Sequence, residues 1–70
     1  MRSRLRDLRQ DHDKNQRQIA EFLGMSQTGY SKYETEENDI PTEVLIKLAD
    51  YYQVSVDYIL YQTDKRERNQ

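Results

Sequence analysis

Apolar positions recur at helical spacing along the whole chain, and the two-residue alternation of a strand is nearly absent. Met1, Leu5, Leu8 and His12 stand at i, i+4, i+7 and i+11, one stripe of a first helix near 2–12. His12 closes it, since an imidazole complements the carbonyl end of a helix. Asp13-Lys14-Asn15 interrupts the pattern. Asn15 and Gln18 have capping-box spacing, and they open a second helix over 16–23 with Ile19, Ala20 and Leu23 facing inward. Gly24 ends it, in the left-handed position that glycine adopts cheaply.

Ser26 caps a third helix over about 27–34, with Tyr30 and Tyr33 on its inner side. The loop Thr35-Glu36-Glu37-Asn38-Asp39 follows, and Ile40-Pro41 reads as an extended lead-in. Thr42 is expected to cap a fourth helix over 43–52, with Val44, Leu45, Leu48, Ala49 and Tyr52 inward. Ser55 caps a fifth near 56–61, where Val54, Ile59 and Leu60 complete the core. Residues 63–70 have no apolar period and are expected to fray. The prediction is an all-α domain of five short helices over 1–62, followed by a polar tail over 63–70.

Composition narrows the chemistry. Seventy residues hold one small domain, and without Cys there is no disulfide, thiolate metal site or thiol nucleophile. One His builds no metal site alone, and no cofactor is implied. No paired carboxylates, nucleophile–base set or phosphate-cradling glycine loop points to an enzyme. The absence of an 18-residue apolar run or a signal-peptide core predicts a soluble, cytoplasmic protein with no membrane partner. The net charge of −2 conceals a gradient. Residues 1–33 carry seven bases against four acids, whereas residues 34–64 carry one base against eight acids. A basic half beside an acidic half is compatible with one face for a polyanion and equally with ordinary surface patchiness.

The stretch from Gln16 to Thr35 is the informative one. Leu23-Gly24-Met25-Ser26 is too short to let two helices pack antiparallel, so they must cross steeply. Ala20 allows close backbone approach, Gly24 makes the turn, and Ile19, Leu23, Met25, Tyr30 and Tyr33 supply apolar pegs. This is a helix-turn-helix arrangement, whose second helix enters a DNA major groove. Opposite the tyrosines, Gln27, Thr28, Ser31 and Lys32 form a stripe of hydrogen-bonding side chains without an acid. Gln pairs bidentately with adenine, Lys donates to guanine, and Thr reaches a base edge or a thymine methyl.

The run Asn15-Gln16-Arg17-Gln18-Ile19-Ala20-Glu21-Phe22-Leu23-Gly24-Met25-Ser26-Gln27 resembles the core of phage repressor/Cro-type regulators, the xenobiotic-response-element family. Tyr33-Glu34, Leu48-Ala49 and Val54-Ser55-Val56-Asp57-Tyr58-Ile59-Leu60 extend the likeness over about residues 2–61. The resemblance implies a five-helix, lambda-repressor-like domain that binds a double-stranded operator as a homodimer. It implies base reading by Gln27, Thr28 and Lys32, with Ser31 between base and backbone, and a phosphate contact from Gln16. It also implies a structural ion pair between Arg9 and Glu34. Arg17, beside Gln16, is a second phosphate candidate.

Two departures stand out. The family places Gly and basic residues in the loop after the reading helix, whereas here the loop carries three carboxylates. Those lower affinity for DNA and leave Asn38 and backbone amides as its phosphate contacts. Gly29, inside the reading helix, either permits close approach to DNA or is a tolerated defect costing about 1 kcal/mol against Ala. Tyr51, Tyr58 and Tyr61, with Ile46, are expected to form an apolar dimer patch. The alternative to DNA binding is a protein-interaction module on the same fold, such as a small antitoxin or anti-repressor with a protein partner.

Overall fold

A computed structural model describes residues 2–66. Five helices follow in order: α1 (Leu5–Asp11), α2 (Gln16–Leu23), α3 (Gln27–Glu34), α4 (Thr42–Tyr52) and α5 (Val56–Ile59). Expected capping chemistry sets most of the boundaries. Asn15 Oδ1 accepts from the Gln18 amide at 2.8 Å, and Gln18 Oε1 accepts from the Asn15 amide at 2.9 Å, a complete capping box. Ser26 and Ser55 accept from the amides of Gly29 and Tyr58 at 3.1 and 3.0 Å. His12 ends α1 with its ring Nδ1 2.9 Å from the Leu8 carbonyl oxygen, and the ring also stacks obliquely on Tyr52.

Three boundaries differ from the sequence reading. The first helix begins at Leu5, because Arg4 in the N-cap position offers no side-chain acceptor; Met1 lies outside the described residues. Thr42 is the first residue of α4 and not its cap. Pro41 takes the cap position, with φ of −59° and no amide hydrogen to satisfy, and its carbonyl accepts from Leu45 at 3.0 Å. The fifth helix stops at Ile59, and Tyr61 turns left-handed at φ 61°. Gln53 ends α4 in the same region at φ 56°, and its side-chain amide donates to the Asp50 carbonyl at 2.6 Å.

The core is formed by Leu5, Leu8, Ile19, Ala20, Tyr30, Leu45, Leu48, Ala49, Tyr52, Val54 and Ile59, with Ile40 added from the lead-in. Leu23, Tyr33, Val44 and Leu60, expected inward, are only half-buried against it. Residues 63–66, expected to fray, make hydrogen bonds to the rest of the domain in this structure. Arg4 donates to the Thr63 carbonyl and to Asp64, Ser55 donates its amide to the Arg66 carbonyl, and Arg66 reaches Asp11. The rest of the expected tail, residues 67–70, lies outside the described residues.

Gly24 sits at φ 70° and ψ 33°, and a Cβ there would meet nothing within 4 Å. Its requirement is therefore purely backbone strain, which costs an L-residue about 1–2 kcal/mol. Gly24→Ala is expected to lose that much in urea denaturation while keeping the native far-ultraviolet circular dichroism. An unchanged midpoint would show that the turn tolerates a side chain.

Candidate nucleic-acid interface

The geometry of the candidate surface starts in the turn. Gly24 reverses the chain after α2, and the Met25 amide donates back to the Ala20 carbonyl at 3.0 Å. Ala20 is buried, and α3 packs directly on α2. Tyr30 anchors α3 from below. It is fully buried and meets Tyr33 edge to face at 6.4 Å.

With that face buried, α3 turns its other side out. Gln27, Thr28 and Lys32 are exposed and Ser31 is half-exposed. Together with Gln16, Thr35 and Glu37 they line one open groove of about 470 Å³. Four of the predicted site residues therefore share one surface, and Gln16 joins it from the start of α2. Glu37 brings one of the loop carboxylates to the same groove. Asn38 is exposed outside the groove lining, and its amide donates to the Lys32 carbonyl at 3.2 Å, closing the end of α3. Arg17 is exposed and pairs with Glu21 one turn along α2 at 3.1 Å. Gly29 does not open toward the groove. A Cβ there would stand 3.1 Å from Ser26 Oγ and 3.2 Å from Met25 Cε, so the glycine makes room for the cap of its own helix.

The groove is held in place by a brace of three helices. Arg9 of α1 grips Glu34 at the end of α3 with two hydrogen bonds, Nε to Oε2 at 2.7 Å and Nη2 to Oε1 at 3.0 Å. Its remaining Nη1 donates to the Lys14 carbonyl at 3.0 Å. Gln16, the first residue of α2, donates its side-chain amide to Glu34 Oε1 at 3.2 Å. Both ends of the pair are withdrawn from solvent, with side-chain exposures of 13% for Arg9 and 3% for Glu34. Burial by itself pushes the Glu34 carboxyl up, but the hydrogen bond from Arg9, with help from nearby Tyr30 and from Gln16, outweighs it and holds the carboxyl below its ordinary value. The hydrogen bond to Glu34 likewise raises Arg9. Desolvation raises the Tyr30 phenol, whose hydroxyl lies near Glu34 without hydrogen-bond geometry to any partner.

The expected apolar patch divides between two neighbourhoods. Tyr51 stacks on Phe22 of α2 at 4.6 Å, and both Phe22 and Ile46 are largely exposed. Tyr58 and Tyr61 instead face the Arg4 guanidinium at 4.3 and 4.1 Å, and Arg2 lies over Tyr61 at 4.5 Å. Sequence reading missed Phe22 because it lies off the apolar stripe of α2, with only its size as a signal. It also missed the aromatic box around Arg4, which requires contacts between the two ends of the chain. Among the described residues no helix is long and apolar enough to cross a membrane, and no cluster of three acidic, His or Cys side chains is placed to hold a metal.

A short helix, a glycine turn and a second helix with a polar outer face, braced by a third, define a helix-turn-helix domain. The family described as Helix-turn-helix matches residues 5–59, and the chain belongs to that family in its Cro/C1-type form. It is 46% identical over 61 residues to the uncharacterized HTH-type transcriptional regulator YobD of Bacillus subtilis, covering 87% of this chain and 54% of that protein. Over 67 residues it is 34% identical to the HTH-type transcriptional regulator ImmR of the same organism, covering 96% and 53% of the two chains. The cryptic phage CTXphi transcriptional repressor RstR of Vibrio cholerae is 35% identical over 69 residues, with 96% and 62% covered. The chain thus spans little more than half the length of these curated relatives. No solved structure matches it.

The brace makes the stability of the domain depend on pH. A carboxyl held below its unfolded value stabilises the fold above that value, near 4.5, and the contribution is lost as pH falls through the folded value. Glu34→Gln leaves a partly shielded guanidinium without its counter-charge and is expected to cost about 1–3 kcal/mol at pH 7. The deficit shrinks on acidification, because the wild type loses its own carboxylate. Thermal melts of both proteins from pH 7 to pH 3 should converge; a constant gap would assign the loss to shape and not to charge.

Proposed function

We propose that this chain is a sequence-specific double-stranded DNA-binding module of a transcriptional regulator, acting as a non-enzymatic, cytoplasmic repressor, with α3 lying in the major groove. The observation that carries the proposal is the shared groove of Gln27, Thr28, Ser31 and Lys32, uncapped by any other part of the described chain. These side chains offer donors and acceptors matched to base edges, and Gln27 and Lys32 have the strongest pairing chemistry. The repressor name borne by one similar protein, RstR, supports the direction of control.

Gln16 and Arg17 are assigned to the phosphate backbone, with Asn38 at the far end of α3. Gln16 has a second amide hydrogen beyond the one given to Glu34. Arg17 gives up little on leaving Glu21, since an exposed pair of this spacing contributes about 0.3–0.5 kcal/mol. Two copies reading half-sites about 34 Å apart form the functional unit, and Ile46, Tyr51, Tyr58 and Tyr61 are the candidates for their contact.

Selection of bound duplexes from a random pool tests the proposal, and it predicts a two-fold symmetric site. On that site Gln27→Ala is expected to relax preference at one base position at a cost of about 1–3 kcal/mol. Arg17→Ala should weaken all sequences alike and lower the salt slope by about 1. Glu37→Gln should tighten all of them, because it removes a carboxylate from the groove. Failure to enrich any duplex, or random-duplex binding without salt dependence, would favour a protein-interaction module on the same fold.

A further inference from the structure

One carboxylate of the loop between α3 and α4 differs from its neighbours in where it stands. Of Glu36, Glu37 and Asp39, Glu37 alone lines the groove that carries Gln27, Thr28, Ser31 and Lys32. The loop backbone holds it there. Glu36 turns left-handed at φ 68°, its amide donates to the Tyr33 carbonyl at 3.3 Å, and the Asn38 amide returns to the Lys32 carbonyl at 3.2 Å. Glu37, between those two bonded residues, is exposed and has neither ion pair nor hydrogen bond among the described residues. It shares the groove with Lys32 without pairing to it.

We infer that Glu37 is a specificity-determining residue, which admits cytosine and refuses the other bases at one position of each half-site. The inference rests on the DNA-binding reading above. An ionised carboxylate accepts hydrogen bonds and donates none. On its major-groove edge cytosine shows the N4 amine and no acceptor, whereas guanine, thymine and adenine each show at least one acceptor. A carboxylate facing cytosine gains a charge-assisted hydrogen bond; facing any of the others it meets a lone pair at close range. That repulsion is less screened in a groove closed by DNA than on an open surface. Lys32 complements the arrangement, because the guanine paired with cytosine carries the acceptors an ammonium needs. One G·C pair thus matches both charges of the groove, and discrimination comes as much from the bases refused as from the one bound. Phosphate repulsion falls on every sequence, so removing the carboxylate tightens all duplexes, but unevenly and least where cytosine stands.

The test repeats the random-pool selection with wild type, Glu37→Gln and Glu36→Gln. Fluorescence anisotropy then follows on four duplexes that differ only at the position where the Glu37→Gln preference changes. Wild type is expected to favour cytosine there by roughly fivefold or more, the low end for one base contact. Glu37→Gln should lose most of that preference and keep those at other positions, since a neutral amide donates as well as accepts. Glu36→Gln removes the same charge from the same loop outside the groove lining, and its preference should match the wild type. Both substituted side chains are exposed, so both variants are expected to melt with the wild type. A selected site that Glu37→Gln leaves unchanged, a changed position whose preferred base is not cytosine, or equal tightening on all four duplexes would overturn the inference and leave the function standing. So would the same loss of preference in Glu36→Gln. Wild-type protein that enriches no duplex would remove the function and this role together.

Discussion

The outward placement of α3 depends on an ion pair largely withdrawn from solvent. Arg9 and Glu34 come from the first and third helices, and Gln16, at the opening of the second, completes the contact. Hydrophobic burial is non-directional and would hold α3 against α2 over a range of rotations. Two parallel hydrogen bonds between planar groups fix both distance and orientation. Desolvating the two charges offsets much of their attraction, so the pair is a weak source of net stability. What it contributes is geometry, because a displaced α3 would separate two partly desolvated charges. Gln16 ties that geometry to the groove, since it touches the brace and lines the surface.

Surface electrostatics explain how a chain of net charge −2 can be read as a DNA binder. Much of the positive charge is already engaged: Arg4, Arg17 and Arg66 have acidic partners on the surface, and Arg9 has one largely withdrawn from solvent. The groove retains Lys32 as its cation, faces the carboxylate of Glu37, and is otherwise lined by neutral hydrogen-bonding groups. On the proposed reading such a surface binds random DNA weakly, since nonspecific affinity follows the number of phosphates neutralised. Discrimination then falls mainly to directional contacts with base edges.

The fold was legible where local chemistry decides it. The Asn15–Gln18 box, the serine caps and Gly24 each satisfy or redirect backbone groups within a few residues, so sequence spacing alone located them. The α4 cap was misassigned because Thr42 is a good cap residue, whereas Pro41, with its preset φ and missing amide hydrogen, fits that place without a side-chain bond. Features joining distant parts of the chain left no local trace. The Arg4 guanidinium between Tyr58 and Tyr61, the pinning of residues 63–66 and the burial of Ile40 all depend on tertiary contact. The Arg9–Glu34 pair was expected from family resemblance, because periodicity cannot pair residues 25 positions apart. The stripe on α3 was legible from helical geometry, but its common groove with Gln16 and Glu37 required the packed structure.

The account stands on α3 presenting Gln27, Thr28, Ser31 and Lys32 to DNA while Arg9 and Glu34 hold it there. Nuclear magnetic resonance during titration with a selected duplex addresses this directly, residue by residue. The prediction is that side-chain and amide signals of those four residues and of Gln16 shift, while those of Tyr30, Ile59 and the Phe22–Tyr51 pair move little. Shifts centred on Phe22, Tyr51 and Ile46, with the α3 signals unmoved, would contradict it.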